Sequence, residues 1–127
     1  MNGSGQCLCG AVTFAAKCVE SHVHACHCSM CRRWNGGPGM AVAVKSVVFT
    51  GEANIERYRS SQWAERGFCK TCGSNLFYLL MPATYILEAG LFHEQNFELE
   101  SEIYCAGKPA WYEFAGGHPK HNGLPSD

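Results

Sequence analysis

The sequence predicts an all-β protein built from several small antiparallel sheets, with little helix. Short runs rich in valine or phenylalanine recur along the chain, and many of its 14 glycines fall between them as turns. Helical periodicity is weak throughout. Nine cysteines, most of them clustered, indicate that bound metal ties the small sheets together.

The pattern of short apolar runs locates the individual elements. Strands are predicted over residues 11–16, 22–25, 40–44, 47–49, 55–58, 75–80, 85–89 and 101–104. Short helical stretches are predicted over residues 29–34 and 91–95. We expect the tail after about residue 116 to be irregular and its last few residues to be disordered.

The whole chain, residues 1–127, is expected to form one domain, because it is long enough for a modest core but short for two. A formal charge of −1 gives no electrostatic reason to expect nucleic acid or an anionic membrane as a partner. The longest apolar run, residues 76–82, is too short to span a bilayer, and the first residues lack the pattern of a secretory signal. We therefore expect a cytoplasmic protein, in which cysteines serve as metal ligands or reactive thiols.

Two cysteine clusters end in glycine and are typical of metal-binding knuckles. They are Cys7-Leu8-Cys9-Gly10 and Cys69-Lys70-Thr71-Cys72-Gly73. The glycine lets the backbone turn tightly, so that its amides can point at the thiolate sulfurs. Two knuckles together supply four thiolates, the complete shell of a closed tetrahedral zinc site. Spacing alone leaves the pairing open, because the first and middle clusters would also supply four ligands.

The middle cluster, Cys26-His27-Cys28-Ser29-Met30-Cys31, contains three cysteines and no fourth. Three protein ligands with one open position are the arrangement of a reactive zinc site, where an incoming thiol would lose its proton. Alternation along the chain points His27 away from such a metal. The site can be partly empty, because three ligands release metal or oxidise readily.

Other interpretations of the cysteines remain open at this point. The knuckle cysteines could be buried thiols without metal, and the middle cluster could be a second structural site completed by His27 or Cys18. Iron could replace zinc, since tetrahedral sulfur sites accept either metal. Isolated Cys18 and Cys105 are most simply small buried residues.

Three stretches of the chain resemble the family of glutathione-dependent formaldehyde-activating enzymes and centromere protein V-like proteins, which has the Mss4-like fold. The order and approximate spacing of the clusters agree from Gly5 to about Trp111. The matching stretches are Gly5-Gln6-Cys7-Leu8-Cys9-Gly10-Ala11-Val12-Thr13-Phe14, Cys26-His27-Cys28-Ser29-Met30-Cys31-Arg32-Arg33 and Arg66-Gly67-Phe68-Cys69-Lys70-Thr71-Cys72-Gly73-Ser74-Asn75-Leu76, with a weaker echo in Lys108-Pro109-Ala110-Trp111.

The resemblance implies an all-β fold of small coiled sheets clamped by zinc, with two zinc ions per chain. The implied ligands are Cys7, Cys9, Cys69 and Cys72 for a structural zinc, and Cys26, Cys28 and Cys31 for a catalytic-type zinc. The implied activity is carbon–sulfur lyase chemistry: formation and reversal of S-hydroxymethylglutathione from glutathione and formaldehyde. A small thiol such as glutathione and a small aldehyde would then be the partners.

Residues beside the middle cluster are predicted to contact substrate. Arg32 and Arg33 could meet the carboxylates of glutathione in bidentate pairs, although a solvated surface pair is an equal interpretation. His27 is a candidate proton donor, and Trp34 a candidate pocket wall with core packing as its alternative. Arg66 and His93 are further candidates for a donor or an anion contact. The remaining histidines, His22, His24, His118 and His121, are expected on the surface.

Two other classes of function compete with the enzyme. In one, both zinc ions are structural, and the protein is a non-catalytic module that recognises a protein or a thiol metabolite. In the other, the zinc sites support nucleic-acid binding, which the missing basic excess and the missing basic–aromatic run disfavour.

Overall fold

A computed structural model of the chain describes residues 1–125 and divides the chain into two compact units. The first unit comprises Met1–Ser21 and Ala41–Asn96. The second comprises His22–Met40 and the described chain from Phe97 onward. Strands account for 43% of the residues and helices for 13%, so the predicted all-β class of several sheets is confirmed. A single domain over residues 1–127 stays a prediction.

Ten strands, one α-helix and three short 3-10 helices follow one another in the described part of the chain. The strands are β1 Gly3–Gln6, β2 Thr13–Lys17, β3 His22–Cys26, β4 Gly39–Ala43, β5 Ser46–Thr50, β6 Ile55–Arg59, β7 Ala64–Cys69, β8 Asn75–Leu80, β9 Thr84–Glu88 and β10 Glu98–Ile103. The α-helix is α1, Ser29–Asn35, and the 3-10 helices cover Glu52–Asn54, Ala89–Leu91 and Cys105–Gly107.

Antiparallel pairing builds the first unit. β2 lies between β1 and β5. It buries Phe14 and Ala16, while Ala15 and Lys17 are exposed, as alternation along a strand requires. A second run of neighbours has the order β4, β9, β8, β7 and β6, each pair antiparallel. The two cysteine knuckles lie at the turn between β1 and β2 and at the turn between β7 and β8.

Aromatic rings fill the core of the first unit. The ring centroids of Phe14 and Phe92 lie 5.0 Å apart, and those of Phe77 and Tyr85 also lie 5.0 Å apart, both pairs edge to face. The ring centroids of Phe49 and Phe77 lie 5.4 Å apart. Such pairs contribute about 0.5–1.5 kcal/mol each beyond the apolar area they bury. The core therefore holds the sheets in place around the knuckles.

The second unit pairs β3 with β10 in parallel and continues β3 into α1. Cys28 caps the start of α1, because its sulfur accepts a hydrogen bond from the Cys31 amide at 3.3 Å. Gly36 ends the helix in the left-handed conformation, with φ of 75°. After β10 the chain lies beside that strand, since the Glu102 amide donates to the Pro119 carbonyl and the His121 amide donates to the Glu102 carbonyl.

The predicted elements correspond to the observed ones with few exceptions. All eight predicted strands overlap observed strands, and the helix predicted over 29–34 is α1. The helix predicted over 91–95 is wrong, because that stretch holds only the end of the 3-10 helix Ala89–Leu91. Over residues 117–125 the tail is irregular apart from one bridge from Lys120 to Glu102. The predicted disorder of the last few residues concerns residues 126–127, which lie outside the described residues.

Within residues 1–125 no helix is both long enough and apolar enough to cross a membrane.

Candidate metal centres

The four knuckle cysteines come together in the first unit. The sulfur atoms of Cys7, Cys9, Cys69 and Cys72 all lie within 4.8 Å of one another. Cys7 and Cys69 are buried, whereas Cys9 is exposed and Cys72 is half-buried. Sixty residues of chain separate the inner pair, Cys9 and Cys69, so a metal held here would join two distant parts of the chain.

The spacing of these sulfurs fits a tetrahedral metal. The Sγ atoms of Cys7 and Cys9 are 3.7 Å apart, and those of Cys9 and Cys69 are 3.9 Å apart. A tetrahedron with metal–sulfur bonds of about 2.3 Å has edges of roughly 3.8 Å. All nine cysteines lie within the described residues and none forms a disulfide, so none of these contacts is a disulfide. The arrangement matches a sulfur-bound ion.

Backbone amides and one hydroxyl point at the sulfurs, as the knuckle pattern predicts. Gly10 and Gly73 have φ of 81° and 80°, which glycine adopts without strain. The Ala11 amide donates to the Cys9 sulfur and the Val12 amide to the Cys7 sulfur, each at 3.4 Å. The Ser74 hydroxyl lies 3.2 Å from the Cys72 sulfur, and this hydrogen bond is the main reason that the pKa of Cys72 falls to about 5. Thiolate, the form that binds metal, is therefore favoured there.

The middle cluster gathers its three sulfurs in the second unit. The sulfur atoms of Cys26, Cys28 and Cys31 lie within 4.8 Å of one another, and all three residues are half-buried. Cys26 ends β3, Cys28 caps α1 and Cys31 lies in the first turn of that helix. Hydrogen bonds from the thiols of Cys26 and Cys31 lower the pKa of Cys28 well below its ordinary value. Such a cluster carries a negative charge that a cation would neutralise.

Gly39, at the start of β4, lies directly against this cluster. A Cβ atom built on Gly39 would lie 3.3 Å from the Cys31 Cβ and 3.4 Å from the Cys31 sulfur. The sequence does not single out this glycine, since residues 36–39 are all glycine or proline. Its role is to leave room beside a candidate ligand.

The predicted substrate residues on α1 differ in their surroundings. Arg32 is half-buried, and its Nε is a buried atom with no hydrogen-bond partner among the residues that the structure describes. Arg33 is exposed, and Trp34 is half-buried. A buried guanidinium nitrogen without a hydrogen-bond partner is suited to an anionic ligand, whereas Arg33 matches a solvated side chain.

His27 lies outside the ring of sulfur ligands and belongs to a buried polar network. Its Nε2 is 2.8 Å from Glu102 Oε1, and its Nδ1 is 2.7 Å from the Tyr112 hydroxyl. Glu102 Oε2 is in turn 2.5 Å from His118 Nε2. His27 and Glu102 are fully buried, at 0% exposure. Because a carboxylate only accepts, the proton on His27 Nε2 points at Glu102 and leaves Nδ1 to face the tyrosine.

Glu102 is the carboxylate at the centre of this network. Burial alone would raise the pKa of Glu102, but hydrogen bonds from His118 and His27 outweigh it and hold that pKa below its ordinary value. The thiol of Cys105 also lies near, within 4.8 Å of candidate ligand atoms of His27 and Glu102. No local motif in the sequence marks Glu102, Tyr112 or His118 as partners of His27, because all three lie far from it in the chain.

Several expectations about isolated residues need correction. Cys18 is exposed and Cys105 is half-buried, so the expectation of two buried thiols is wrong for Cys18. The side chain of His118 is only 8% exposed and His24 donates to or accepts from Ser101 at 2.7 Å, so a plain surface location is wrong for both. Arg66 is buried in β7 above the Tyr78 ring, and His93 is exposed; their candidate roles as donor or anion contact stay predictions.

Fold and site together define a class: a small mostly-β protein with one four-cysteine centre and one three-cysteine centre. The sequence model of the "Glutathione-dependent formaldehyde-activating enzyme" family matches residues 2–107. The chain therefore belongs to that family.

Similar proteins agree with this assignment. An uncharacterized lyase of Schizosaccharomyces pombe is 35% identical over 115 residues, which cover 87% of this chain and 84% of that protein. A Halomonas elongata protein, provisionally named as a glutathione-dependent formaldehyde-activating enzyme, is 33% identical over 85 residues, covering 58% of this chain and 53% of that protein. A crystal structure of a Rhodobacter sphaeroides protein has a TM-score of 0.62 at 24% identity, covering 71% of this chain and 87% of that one. This last likeness concerns the fold alone.

Proposed function

We propose that the protein is a zinc-dependent carbon–sulfur lyase that acts on a thiol–aldehyde adduct, with S-hydroxymethylglutathione as the favoured substrate. The observation that carries the proposal is the middle cluster. Three sulfurs lie within 4.8 Å of one another, and no fourth His, Cys, Asp or Glu completes the group within residues 1–125. Membership of the formaldehyde-activating family and the lyase name of a relative support the same chemistry.

We assign one zinc ion to each cysteine centre, two per chain. Zinc suits both donor sets, because it accepts thiolates in tetrahedral geometry and takes three protein ligands where it is catalytic. At the middle cluster a bound zinc would supply Lewis acidity that favours the thiolate of an entering thiol. The four-cysteine centre has no open position and is proposed to stabilise the fold.

The net reaction adds a thiol across the carbonyl bond of formaldehyde. A sulfur–carbon bond forms, the π-bond of the carbonyl opens, and the proton lost from sulfur ends on the former carbonyl oxygen. The reverse reaction breaks the same sulfur–carbon bond. Neither direction oxidises or reduces the reactants, so Cys26, Cys28 and Cys31 are needed as ligands and not as redox partners.

Residues on α1 are proposed to place the thiol substrate. Arg32, with its buried and unpartnered Nε, is assigned to a carboxylate of glutathione, and Trp34 to the wall beside it. Arg33 is exposed, so its contribution is expected to be small. His27 has both ring nitrogens engaged and 0% exposure, which favours a positioning role over direct proton donation.

We also propose a reducing compartment, the cytoplasm, as the place of this reaction. Nine cysteines without a disulfide persist more easily where glutathione and thioredoxin keep cysteines reduced. The same compartment would supply the thiol substrate.

Exchange NMR of glutathione with ¹³C-labelled formaldehyde tests the activity. The zinc-loaded protein should accelerate adduct formation, and Cys28→Ser should abolish the acceleration while Cys18→Ser, at an exposed lone cysteine, leaves it intact. Arg32→Met should raise the KM for glutathione about tenfold or more, with Arg33→Met as its neighbouring control. A small thiol without carboxylates should not distinguish the two arginine variants. Two bound zinc ions without any acceleration would contradict the enzyme and favour a non-catalytic zinc module.

A further inference from the structure

We infer that the carboxy-terminal segment from Lys108 to His118 positions the middle cysteine cluster, acting through the buried ring of His27. This segment lies beyond residue 107, where the match to the family ends. The inference rests on the proposed metal site of the middle cluster. It assigns Tyr112 and His118 as positioning residues and gives a role to a part of the chain outside the match to the family's sequence model.

His27 is the connection because it stands between two of the three candidate ligands. Cys26 precedes it and Cys28 follows it, so a change in the position of His27 moves both peptides that carry those sulfurs. Three hydrogen bonds fix the residue: its amide donates to the Ile103 carbonyl at 3.1 Å, and its two ring nitrogens bond to Glu102 and Tyr112. Because His27 is 0% exposed, water cannot replace a hydrogen-bond partner that its ring loses.

Further contacts fix the segment from Lys108 to His118 next to His27 and Glu102. The Lys108 ammonium lies 4.7 Å from the centre of the Tyr112 ring, and it pairs with Glu113 at 2.8 Å. The ring centroids of Phe114 and His27 lie 5.9 Å apart, so a second aromatic residue of this segment, besides Tyr112, lies close to His27. His118 bonds to the free oxygen of Glu102. The segment therefore reaches His27 both directly through Tyr112 and indirectly through Glu102.

A rival explanation is that His27, Glu102 and Cys105 themselves hold a metal, since their ligand atoms are within 4.8 Å of one another. The distances favour hydrogen bonds. Both nitrogens of His27 and both oxygens of Glu102 already have protein partners at 2.5–2.8 Å. An ion at this place would have to break the bond between His27 and Glu102, whereas the sulfurs of the middle cluster can bind an ion without breaking this network.

Zinc competition with a chromophoric chelator tests the inference without any substrate. The unsubstituted protein should release two zinc ions in two phases, and the weaker phase is assigned by its loss in Cys28→Ser. Tyr112→Phe, which removes only the hydroxyl that faces His27, should weaken that phase about tenfold, the lower end of the usual effect of outer-shell partners. The tighter phase should not change. Tyr104→Phe, at an exposed tyrosine of the same unit, is the matched control and should change neither phase.

A conservative pair at His118 separates positioning from general loss of structure. His118→Gln keeps an N–H donor for Glu102 and should retain most of the weaker phase, whereas His118→Leu removes the donor and should weaken it as Tyr112→Phe does. Circular dichroism checks that each variant is folded, and the unchanged tighter phase is a second check.

Three results would overturn the inference. Equal zinc affinity of the weaker phase in the unsubstituted protein, Tyr112→Phe and His118→Leu would show that the segment does not position the cluster. A third zinc ion that is lost in Cys105→Ser would assign the network as a metal site instead. A single phase of zinc release in the unsubstituted protein, unchanged by Cys28→Ser, would exclude the proposed middle metal site and with it the proposed function. Changes at Tyr112 or His118 alone cannot give this result, so failure of the inference and failure of the proposed function are distinguishable.

Discussion

At the scale of single residues, the middle cluster depends on close packing around Cys31. Gly39 approaches the Cys31 sulfur so nearly that even a methyl group would contact it at 3.4 Å, with the Asn35 amide nitrogen at 3.3 Å on another side. The helix start adds a second constraint, because the Cys28 sulfur accepts from the Cys31 amide. The space around the Cys31 side chain therefore cannot accommodate an added atom without a shift of the neighbouring atoms.

Gly39→Ala is therefore expected to weaken zinc binding at the middle cluster by about three- to tenfold, because its methyl group pushes Cys31 by a few tenths of an ångström. Gly37→Ala is the matched control, since a Cβ built there meets nothing within 4 Å. The chelator competition measures both. Equal affinities in the two variants would show that the site tolerates the added methyl and that Gly39 has no part in it.

Residue identity and spacing predict which cysteines lie together, but they do not predict the residues that surround them. Each cysteine cluster carries its ligands within six residues, so spacing alone marks them. The network around His27 is different, because Glu102 and Tyr112 are 75 and 85 residues away from it in sequence. Contacts of that kind arise from tertiary structure, and a single sequence has no local signal for them.

At the scale of elements, the strands that were predicted follow the short apolar runs of the sequence. The two that were missed lack this pattern: β1 is Gly-Ser-Gly-Gln, and β7 places Glu65, Arg66 and Gly67 in its centre. β7 is nevertheless buried, because it pairs with strands on both sides and its arginine lies over the Tyr78 ring. Tertiary pairing overrides the weak strand propensity of such residues.

Glu88, at the end of β9, gives this sheet a pH-dependent stability. Burial raises the pKa of Glu88 to about 7, although the charge of Arg66 opposes the shift. Since the folded state then holds a proton that the unfolded state releases near pH 4.5, this carboxyl favours folding less as pH rises from about 4.5 to about 7. Glu88→Gln cannot titrate. Its stability relative to the unsubstituted protein should therefore increase by about 2 kcal/mol between pH 5 and pH 8.

Urea unfolding of both proteins, loaded with zinc, measures this difference across the pH range. Metal release and the cysteines affect both proteins alike and cancel in the comparison. A constant difference from pH 5 to pH 8 would show that Glu88 is ionised throughout and that burial does not disfavour its charge.

At the scale of the whole molecule, the two cysteine centres have unequal roles. The four-cysteine centre connects chain positions 60 residues apart in a protein with a modest core, so metal binding there becomes folding free energy. The proposed three-cysteine centre spans only residues 26–31, so a metal there would connect no distant parts of the chain. The proposed chemistry depends on an open ligand position at this centre. The sequence predicted that each set of cysteines lies together, and the structure brings their sulfurs together; the metals and the substrate-contacting residues stay proposals.

Zinc K-edge absorption spectroscopy, before and after glutathione is added, tests this central claim most directly. With both centres filled, the mean number of sulfur ligands per zinc should be about 3.5, rising to about 4 as the thiol of glutathione enters the open position. Cys28→Ser, which keeps the four-cysteine centre, should show about 4 sulfurs with and without glutathione. A mean of about 4 in the unsubstituted protein before any thiol is added, or no increase with saturating glutathione, would contradict an open three-cysteine site.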